Sequence, residues 1–236
     1  MTGDLPAALL GRIRRLARER GEDPQLLLVR YVNERFLYRL SVAPGGAAFV
    51  LKGGTLFLVW SGRMHRVTRD LDLLGYGAPE VARLKEFTRQ VCTVRCDEDG
   101  VRFDPATVRG EAIREGADYG GIRIRLRGRL GRADVPVQVE VGFGDVVTPP
   151  PVVVEVPSVL DLPAARLRAY PWQAMLAEKV HAMVIQGRDN SRMKDFHDAW
   201  WLLSRHQPDG SLERAVRATF TRRGSDIPAG LPHQGE

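Results

Sequence analysis

The stretch FVLKGGTLFLVWSGRMHRVTRDLDLLG, from Phe49 to Gly75, decides the fold. Its first half predicts a short strand that ends at Lys52, a Gly-Gly turn, and an apolar helix that begins at Thr55. Its second half, residues 67–74, alternates polar and apolar residues as a half-buried strand does. The chain therefore holds a small-residue turn and a pair of carboxylates within one strand–turn–helix–strand unit.

The alternation in the second strand places Asp70 and Asp72 on one face, and Leu71 and Leu73 on the other. The two aspartates lie roughly 7 Å apart along the backbone, so their carboxylates can converge on a divalent ion such as Mg²⁺. A D-x-D pair is common in proteins, and two solvated acids at a strand end are the plain alternative.

A second alternating strand is expected in VQVEVGFGD, residues 137–145. It is apolar on one face and carries Gln138 and Glu140 on the other. If it pairs beside the first strand, Glu140 becomes a third carboxylate, and three like charges on one sheet face favour a bound cation. A solvated sheet face is the alternative.

The turn Gly53–Gly54–Thr55 predicts contact with an anion, because glycines permit close backbone approach and a helix start presents free N–H groups. The Walker A pattern G-x-x-x-x-G-K-[ST] is absent from the sequence. A Gly-Gly turn by itself is more often only a turn. Beside a paired-aspartate strand, it indicates a triphosphate cradle facing a metal site, a combination specific to nucleotidyl transfer.

The chain reads as helical from about residue 170 to residue 205. A half-buried Lys179 in the first helix needs a partner, either an acid or a phosphate. In the next helix Asp195 and Asp198 share a face at i, i+3, and a structural Lys179–Asp195 salt bridge is the alternative to a phosphate contact. The stripe expected to be buried in the first helix comprises Met175, Leu176, Val180, Met183 and Val184. The core stripe expected in the second comprises Phe196, Trp200 and Leu203.

The order of elements predicts an α+β protein: two N-terminal helices, a mixed β region with interspersed helices, and a helical C-terminal part. We expect a core over residues 1–168 and a helical subdomain over residues 169–236. No apolar run has the length of a signal peptide or a bilayer span, and the two cysteines, Cys92 and Cys96, fit a reducing compartment. These features predict a cytoplasmic protein.

Positive charge is carried mainly by arginine, since only four of the 35 lysine and arginine residues are lysines. Two sets of arginines suit an RNA backbone: Arg123, Arg125, Arg127 and Arg129 on one strand, and Arg12, Arg14, Arg15 and Arg18 on the first helix. The alternative is an edge strand guarded by charge in an arginine-rich protein.

Five segments in order resemble the AbiEii/AbiGii toxin family, nucleotidyltransferase-like toxins of bacterial toxin–antitoxin and phage-defence pairs. The segments are FVLKGGTLF, RVTRDLDLL, VQVEVGFGD, LRAYPWQAMLAEKVHAMV and NSRMKDFHDAWWL. The resemblance implies the minimal nucleotidyltransferase fold, a mixed sheet with flanking helices, followed by a C-terminal helical subdomain. It implies transfer of a nucleoside monophosphate from an NTP, with Mg²⁺ as cofactor, and for characterised relatives the acceptor is the 3′ end of tRNA. A cognate antitoxin protein is the implied partner.

The resemblance also assigns roles to residues. The catalytic set is Asp70, Asp72, Lys179 and Asp195. The nucleotide-binding set is Lys52, Gly53, Gly54, Thr55, Arg69 and Lys179, and the metal set is Asp70, Asp72 and Glu140. The chain departs from the family pattern at Glu140, where the family has aspartate, at Gln173 and His181, where it has glutamate, and in a shorter C-terminal part. These departures leave two alternatives open: a catalytically degenerate nucleotide- or RNA-binding protein that still pairs with an antitoxin, and an enzyme that modifies a partner protein.

Overall fold

A computed structural model describes residues 4–62, 68–115, 119–187 and 193–228 of the chain. Its helices are α1 (Leu5–Arg20), α2 (Pro24–Val42), α3 (Thr55–Ser61), α4 (Val81–Thr93), α5 (Trp172–Gln186), α6 (Met193–Leu203) and α7 (Gly210–Arg222). Its strands are β1 (Phe49–Lys52), β2 (Asp70–Gly75), β3 (Val101–Glu115), β4 (Tyr119–Leu130), β5 (Ala133–Phe143), β6 (Val152–Val156) and β7 (Ala165–Ala169). The helices and the mixed sheet confirm the predicted fold class.

Capping side chains and a glycine set the ends of the two N-terminal helices. The Asp4 carboxylate accepts a hydrogen bond from the Ala7 backbone N–H, and Gly21 ends α1 with a φ of 64°. The Asp23 carboxylate caps α2 in the same way, at the backbone N–H of Gln25. Both helices were expected from the apolar periodicity, and both are confirmed.

One seven-stranded sheet has the strand order β3-β4-β5-β2-β1-β7-β6. Strand β2 runs antiparallel to β1 and parallel to β5. The expected pairing of the two alternating strands is therefore confirmed, with Asp72 directly opposite Glu140. Leu71 and Leu73 of β2 are buried, as is Val139 of β5, so the apolar faces of both strands lie in the core. This burial fixes the register, because a shift of one residue would expose those side chains.

Three elements differ from the sequence-based expectation. Strand β3 is 15 residues long, and its pairing with β4 shifts register between Asp104 and Arg109. The sequence DPAT at that shift predicts a break in the strand, because proline lacks the N–H group that the hydrogen bonds between strands require. Strand β7 and helix α7 are further elements that the pattern does not predict.

The described residues form two compact units. The first lies within residues 1–144 and 153–169, and the second within residues 145–152 and 170–236. The domain division expected near residue 168 stays a prediction. Among the helices described, none combines the length and the apolar character needed to cross a membrane.

Candidate active site

A row of charged side chains crosses four neighbouring strands of the first unit. Asp72 on β2 lies opposite Lys52 on β1 and opposite Glu140 on β5, and Glu140 lies opposite Arg123 on β4. Residues in register point to the same face of a sheet, so these side chains are neighbours. The row therefore reads positive, negative, negative, positive across the sheet.

Asp70 lies on the same sheet face, two residues before Asp72. Its register partner on β5 is Gln138, which in turn lies opposite Arg125 on β4. Asp70 and Asp72 are both half-buried, whereas Leu71 between them is fully buried on the other face. The two aspartates predicted as metal ligands are therefore brought together on one face.

The pKa of Asp72 is raised to about 6, mainly by burial. The nearby Glu140 and Asp70 carboxylates also contribute to this increase, while the Lys52 ammonium and a hydrogen bond from the Gly54 backbone act to lower the pKa. The surroundings of Asp72 therefore disfavour the charged form of its carboxylate. A bound cation would favour that form, which is the chemistry expected of a metal ligand.

The Gly53–Gly54 turn packs directly against this pair of strands. Gly53 has a φ of +71°, and a Cβ added there would run into the Asp72 carboxylate. A Cβ on Gly54 would meet the side-chain hydroxyl of Thr68. Helix α3 begins at Thr55, immediately after the turn, as expected. Only glycine permits the backbone to lie this close to Asp72.

We expect Gly53→Ala to destabilise the protein more than Gly62→Ala. Both positions have positive φ, +71° and +69°, so each alanine costs about 1–2 kcal/mol in backbone strain. Only at Gly53 must the new Cβ also displace Asp72, because the space around a Cβ on Gly62 is open. Free energies of unfolding from urea titrations measure the difference. Equal losses at the two sites would contradict the close packing of the turn on Asp72.

Glu140 already has partners for its charge. Its Oε1 accepts hydrogen bonds from Arg123 Nε at 2.9 Å and Gln138 Nε2 at 3.0 Å, and Arg123 Nη2 lies 2.8 Å away. The Arg123 guanidinium therefore offsets the charge of Glu140, and the expected role of Glu140 as a third metal ligand stays a prediction. Within the part of the chain that the structure describes, no group of three or more histidine, cysteine, aspartate and glutamate side chains could hold a metal ion.

The arginines of β4 are ion-paired across the strands. Arg125 Nη1 lies 2.9 Å from Glu111 Oε1, and Arg127 Nη2 lies 2.9 Å from Asp134 Oδ2. Arg129 approaches the same Asp134 at 3.8 Å. Strand β4 lies between β3 and β5 and is therefore not an edge strand of the sheet, so the edge-strand alternative is wrong. The pairs are half-exposed, and exposed ion pairs contribute little stability.

The other nucleotide-binding candidates of the first unit lie around the same strand ends. Lys52 is the last residue of β1 and is half-buried, and Thr55 is buried in the first turn of α3. Arg69 is exposed immediately before β2, and its backbone carbonyl accepts a hydrogen bond of 2.9 Å from Asn33 Nδ2. Their contact with a nucleotide stays a prediction.

In the second unit Lys179 is held by two carboxylates. Its Nζ lies 3.0 Å from Asp195 Oδ1 and 2.8 Å from Asp198 Oδ2. The side chains of Lys179, Asp195 and Asp198 are 12%, 9% and 0% exposed. The salt bridge considered from the sequence is therefore present, and Asp198 is a second partner that the i, i+3 spacing of the two acids could have indicated.

The face of α6 that is buried differs from the expected one. Phe196, Trp200 and Leu203 are exposed by 43%, 64% and 46%, so the predicted core stripe is wrong. The buried face of this helix carries Asp195, Asp198, Ala199, Trp201 and Leu202. The reason is electrostatic, because turning the acids outward would leave the half-buried ammonium of Lys179 without them.

Helix α5 buries a smaller stripe than expected. Met175 and Leu176 are buried, whereas Val180, Met183 and Val184 are only half-buried. The other buried residues of α5 are Ala174, Ala177 and His181.

His181 belongs to a polar network of the second unit that the sequence does not reveal. Its Nε2 lies 2.8 Å from Ser225 Oγ, and Arg223 Nη1 lies 3.2 Å from its Nδ1. Arg223 also donates to Asp145 Oδ1 at 3.1 Å. Burial, and then the Arg223 charge, lower the pKa of His181. These contacts join the end of α7 to α5.

Comparison with known proteins identifies the family of this chain. Residues 35–234 match the family model described as nucleotidyl transferase AbiEii toxin, type IV TA system. No curated protein matches the chain.

Three solved structures are similar to the chain at low sequence identity. The structure of JHP933 from Helicobacter pylori has a TM-score of 0.54 and 13% identity, covering 84% of this chain and 80% of that one. An antigenic nucleotidyltransferase-like protein from Paracoccidioides brasiliensis has a TM-score of 0.42 and 16% identity, covering 75% and 80% of the two chains. ANT(2″)-Ia in complex with adenylyl-2″-tobramycin has a TM-score of 0.41 and 14% identity, covering 85% and 99%.

The predicted family and the nucleotidyltransferase fold are both confirmed, since the family model spans the glycine turn, the aspartate strand and both helices that hold Lys179 and Asp195. The chain belongs to the family of AbiEii nucleotidyl transferase toxins of type IV toxin–antitoxin systems.

Proposed function

We propose that this toxin transfers a nucleoside monophosphate from an NTP to the 3′ end of tRNA and thereby blocks translation. The observation that carries the proposal is the Gly53–Gly54 turn packed against Asp72, with Asp70 on the same sheet face. A turn that lets a polyphosphate approach two carboxylates closely is the arrangement that nucleotidyl transfer requires.

The residues present fit a divalent cation. Asp70 and Asp72 offer hard carboxylate oxygens on one face, and the raised pKa of Asp72 marks a carboxylate whose charge a cation would stabilise. When bound, Mg²⁺ would polarise the α-phosphate and offset negative charge on the departing pyrophosphate. Asp70 and Asp72 are the residues that would hold it.

The remaining tasks fall to side chains and backbone around the turn. The backbone of Gly53, Gly54 and Thr55 would contact the triphosphate, and Lys52, next to Asp72, and the exposed Arg69 would contribute positive charge. The acceptor hydroxyl oxygen forms a bond to the α-phosphorus, the bond from that phosphorus to the bridging oxygen breaks, and pyrophosphate leaves. The hydroxyl proton passes to an aspartate carboxylate or to water.

Lys179 and Asp195 are proposed as the essential pair of the second unit. The proposal is supported by their ion pair of 3.0 Å, which fixes the ammonium group in one place. A lysine anchored by two acids is preorganised, since little side-chain freedom is lost when it meets a phosphate. Alanine at either position should lower the transfer rate.

RNA as the acceptor is supported by the arginines of β4, whose partners are half-exposed carboxylates that a phosphate can displace. We expect tRNA affinity to fall steeply with salt, by a slope in log–log form of roughly 0.7–0.9 for each phosphate contacted. Fluorescence anisotropy with labelled tRNA at several salt concentrations measures the slope. Arg127→Gln should lower both affinity and slope.

Arg166→Gln is the matched control for that experiment. Arg166 is also an exposed, ion-paired arginine, lying 3.5 Å from Glu155, but its strand β7 is separated from β4 by three other strands. It should bind tRNA as the wild type does. A flat salt response, or equal losses in both variants, would remove β4 as an RNA surface.

The activity is tested by incubating the protein with Mg²⁺, each α-labelled NTP in turn, total tRNA and a cell extract. Label on tRNA supports the proposal and identifies the base. Label on a protein would favour the alternative of protein nucleotidylation. NTP binding without transfer to any acceptor would favour the degenerate binder. The description of the family as a toxin–antitoxin system supports a cognate antitoxin, whose co-expression should restore growth to cells that make the toxin.

A further inference from the structure

We propose that Glu140 serves as the anchor of Arg123 and not as a metal ligand, so that of the three carboxylates on this sheet face Asp70 and Asp72 hold the cation. This inference rests on the proposed function, because it concerns the cation of the same site. It differs from the assignment of Glu140 to the metal that the family resemblance implies.

The hydrogen bonds of Glu140 carry the argument. Three donor groups converge on its Oε1: Arg123 Nε at 2.9 Å, Arg123 Nη2 at 2.8 Å and Gln138 Nε2 at 3.0 Å. Hydrogen bonds from a charged donor to a carboxylate are among the strongest in proteins. A metal ion on Glu140 would bring a second positive charge next to the guanidinium that these contacts hold against the carboxylate.

The longer side chain of glutamate explains why the contact forms here. Glu140 lies on β5 between Asp72 on β2 and Arg123 on β4, so its carboxylate can turn to either neighbour. The extra methylene, relative to aspartate, extends its reach across the sheet to Arg123. Both side chains of this pair are partly shielded, at 28% exposed for Arg123 and 22% for Glu140, which strengthens their attraction relative to a fully exposed pair.

Arg123 is held from its other side as well. Its Nη1 lies 3.5 Å from Glu111 Oε1, and Glu111 also pairs with Arg125 at 2.9 Å. The guanidinium therefore has a fixed position one strand beyond Glu140. Arg123 supplies a permanent positive charge on that side of the site.

The test is Mn²⁺ binding, measured by electron paramagnetic resonance, to the full-length wild type and four variants. Wild type should bind Mn²⁺. Glu140→Gln should bind Mn²⁺ within about twofold of wild type, because the change removes no ligand. Arg123→Gln should bind roughly tenfold more tightly, or bind an additional ion, because it releases Glu140 for coordination. The double variant should return to the wild-type value, and Asp72→Asn should lose binding.

The outcomes test two claims, the assignment of Glu140 and the metal site itself. Loss of Mn²⁺ binding in Glu140→Gln would overturn the assignment of Glu140. Unchanged Mn²⁺ binding in an Arg123→Gln protein that circular dichroism shows to be folded would mean that Arg123 does not keep Glu140 from coordinating the metal. This result would also overturn the assignment of Glu140. Should Arg123→Gln not fold, Glu140→Gln alone decides. Absence of Mn²⁺ binding in wild type would overturn the metal site of the proposed function itself.

Discussion

Replacing Asp72 with asparagine is expected to slow nucleoside monophosphate transfer by roughly 10²–10³-fold while the protein stays folded. Asparagine keeps the shape of the side chain but removes the charge that would hold the cation. Burial already raises the pKa of Asp72 to about 6, so a neutral amide is easier to bury there than the carboxylate. Stability should therefore be unchanged or slightly higher. Initial rates and urea unfolding of the same preparation measure both effects.

Glu155→Gln provides the control for this variant. Glu155 lies on β6 of the same sheet, 67% exposed, and pairs with Arg166 of β7, which is not among the proposed RNA contacts. Its replacement should leave the transfer rate near that of wild type. An Asp72→Asn protein as active as wild type would show that the D-L-D strand is not the reacting centre.

Lys179→Ala is expected to lower the free energy of unfolding by about 3–5 kcal/mol. The change leaves Asp195 and Asp198 buried without the ammonium that lies within 3.0 Å of both. Asp198 is 0% exposed, so the ammonium 2.8 Å away offsets much of the cost of burying its charge, and that offset is lost in the variant. Urea titration followed by tryptophan fluorescence measures the loss, since Trp201 lies in the same helix, α6.

Lys194→Ala is the control for this prediction, because Lys194 is an exposed lysine one residue before Asp195. It should change stability by less than about 0.5 kcal/mol. A loss below 1 kcal/mol in Lys179→Ala would contradict the buried ion pairs. A charge-free variant, with Lys179→Met, Asp195→Asn and Asp198→Asn, separates structure from catalysis. If it regains stability but not transfer, the Lys179–Asp195 pair acts on the reaction as well as on the fold.

The strand β2 that carries Asp70 and Asp72 could be predicted from the sequence, because its pattern is local. Strict alternation places Asp70 and Asp72 on one face and leucines on the other, and burial of the leucines then fixes the register. The partner strand shows the same alternation, so the position of Glu140 opposite Asp72 follows from pairing the two apolar faces. The glycine turn could be predicted for a similar reason, since it joins a short strand to a helix.

The partners of Glu140 and Lys179 could not be predicted in the same way. The contact of Glu140 with Arg123 depends on the antiparallel register of β4 with β5. The sequence of β4 does not define that register, because Arg123 and Arg125 occupy equivalent positions in its alternating pattern. Helix α6 has two apolar faces, one with Phe196 and Trp200 and the other with Ala199 and Leu202. Residue types alone do not show which of these faces is buried. The position of Lys179 on a different helix decides the outcome, and that position is a property of the tertiary structure.

The central claim, nucleoside monophosphate transfer at Asp70 and Asp72, is tested most directly by the mass of the acceptor. Purified tRNA is incubated with Mg²⁺, the four NTPs and either wild type or Asp70→Ala, and its 3′-terminal fragment is weighed by mass spectrometry. The account predicts fragments heavier by one or more nucleoside monophosphates with wild type, pyrophosphate in the same samples, and neither with Asp70→Ala. An extended fragment in the presence of Asp70→Ala, or unchanged tRNA and no pyrophosphate with wild type, would contradict it.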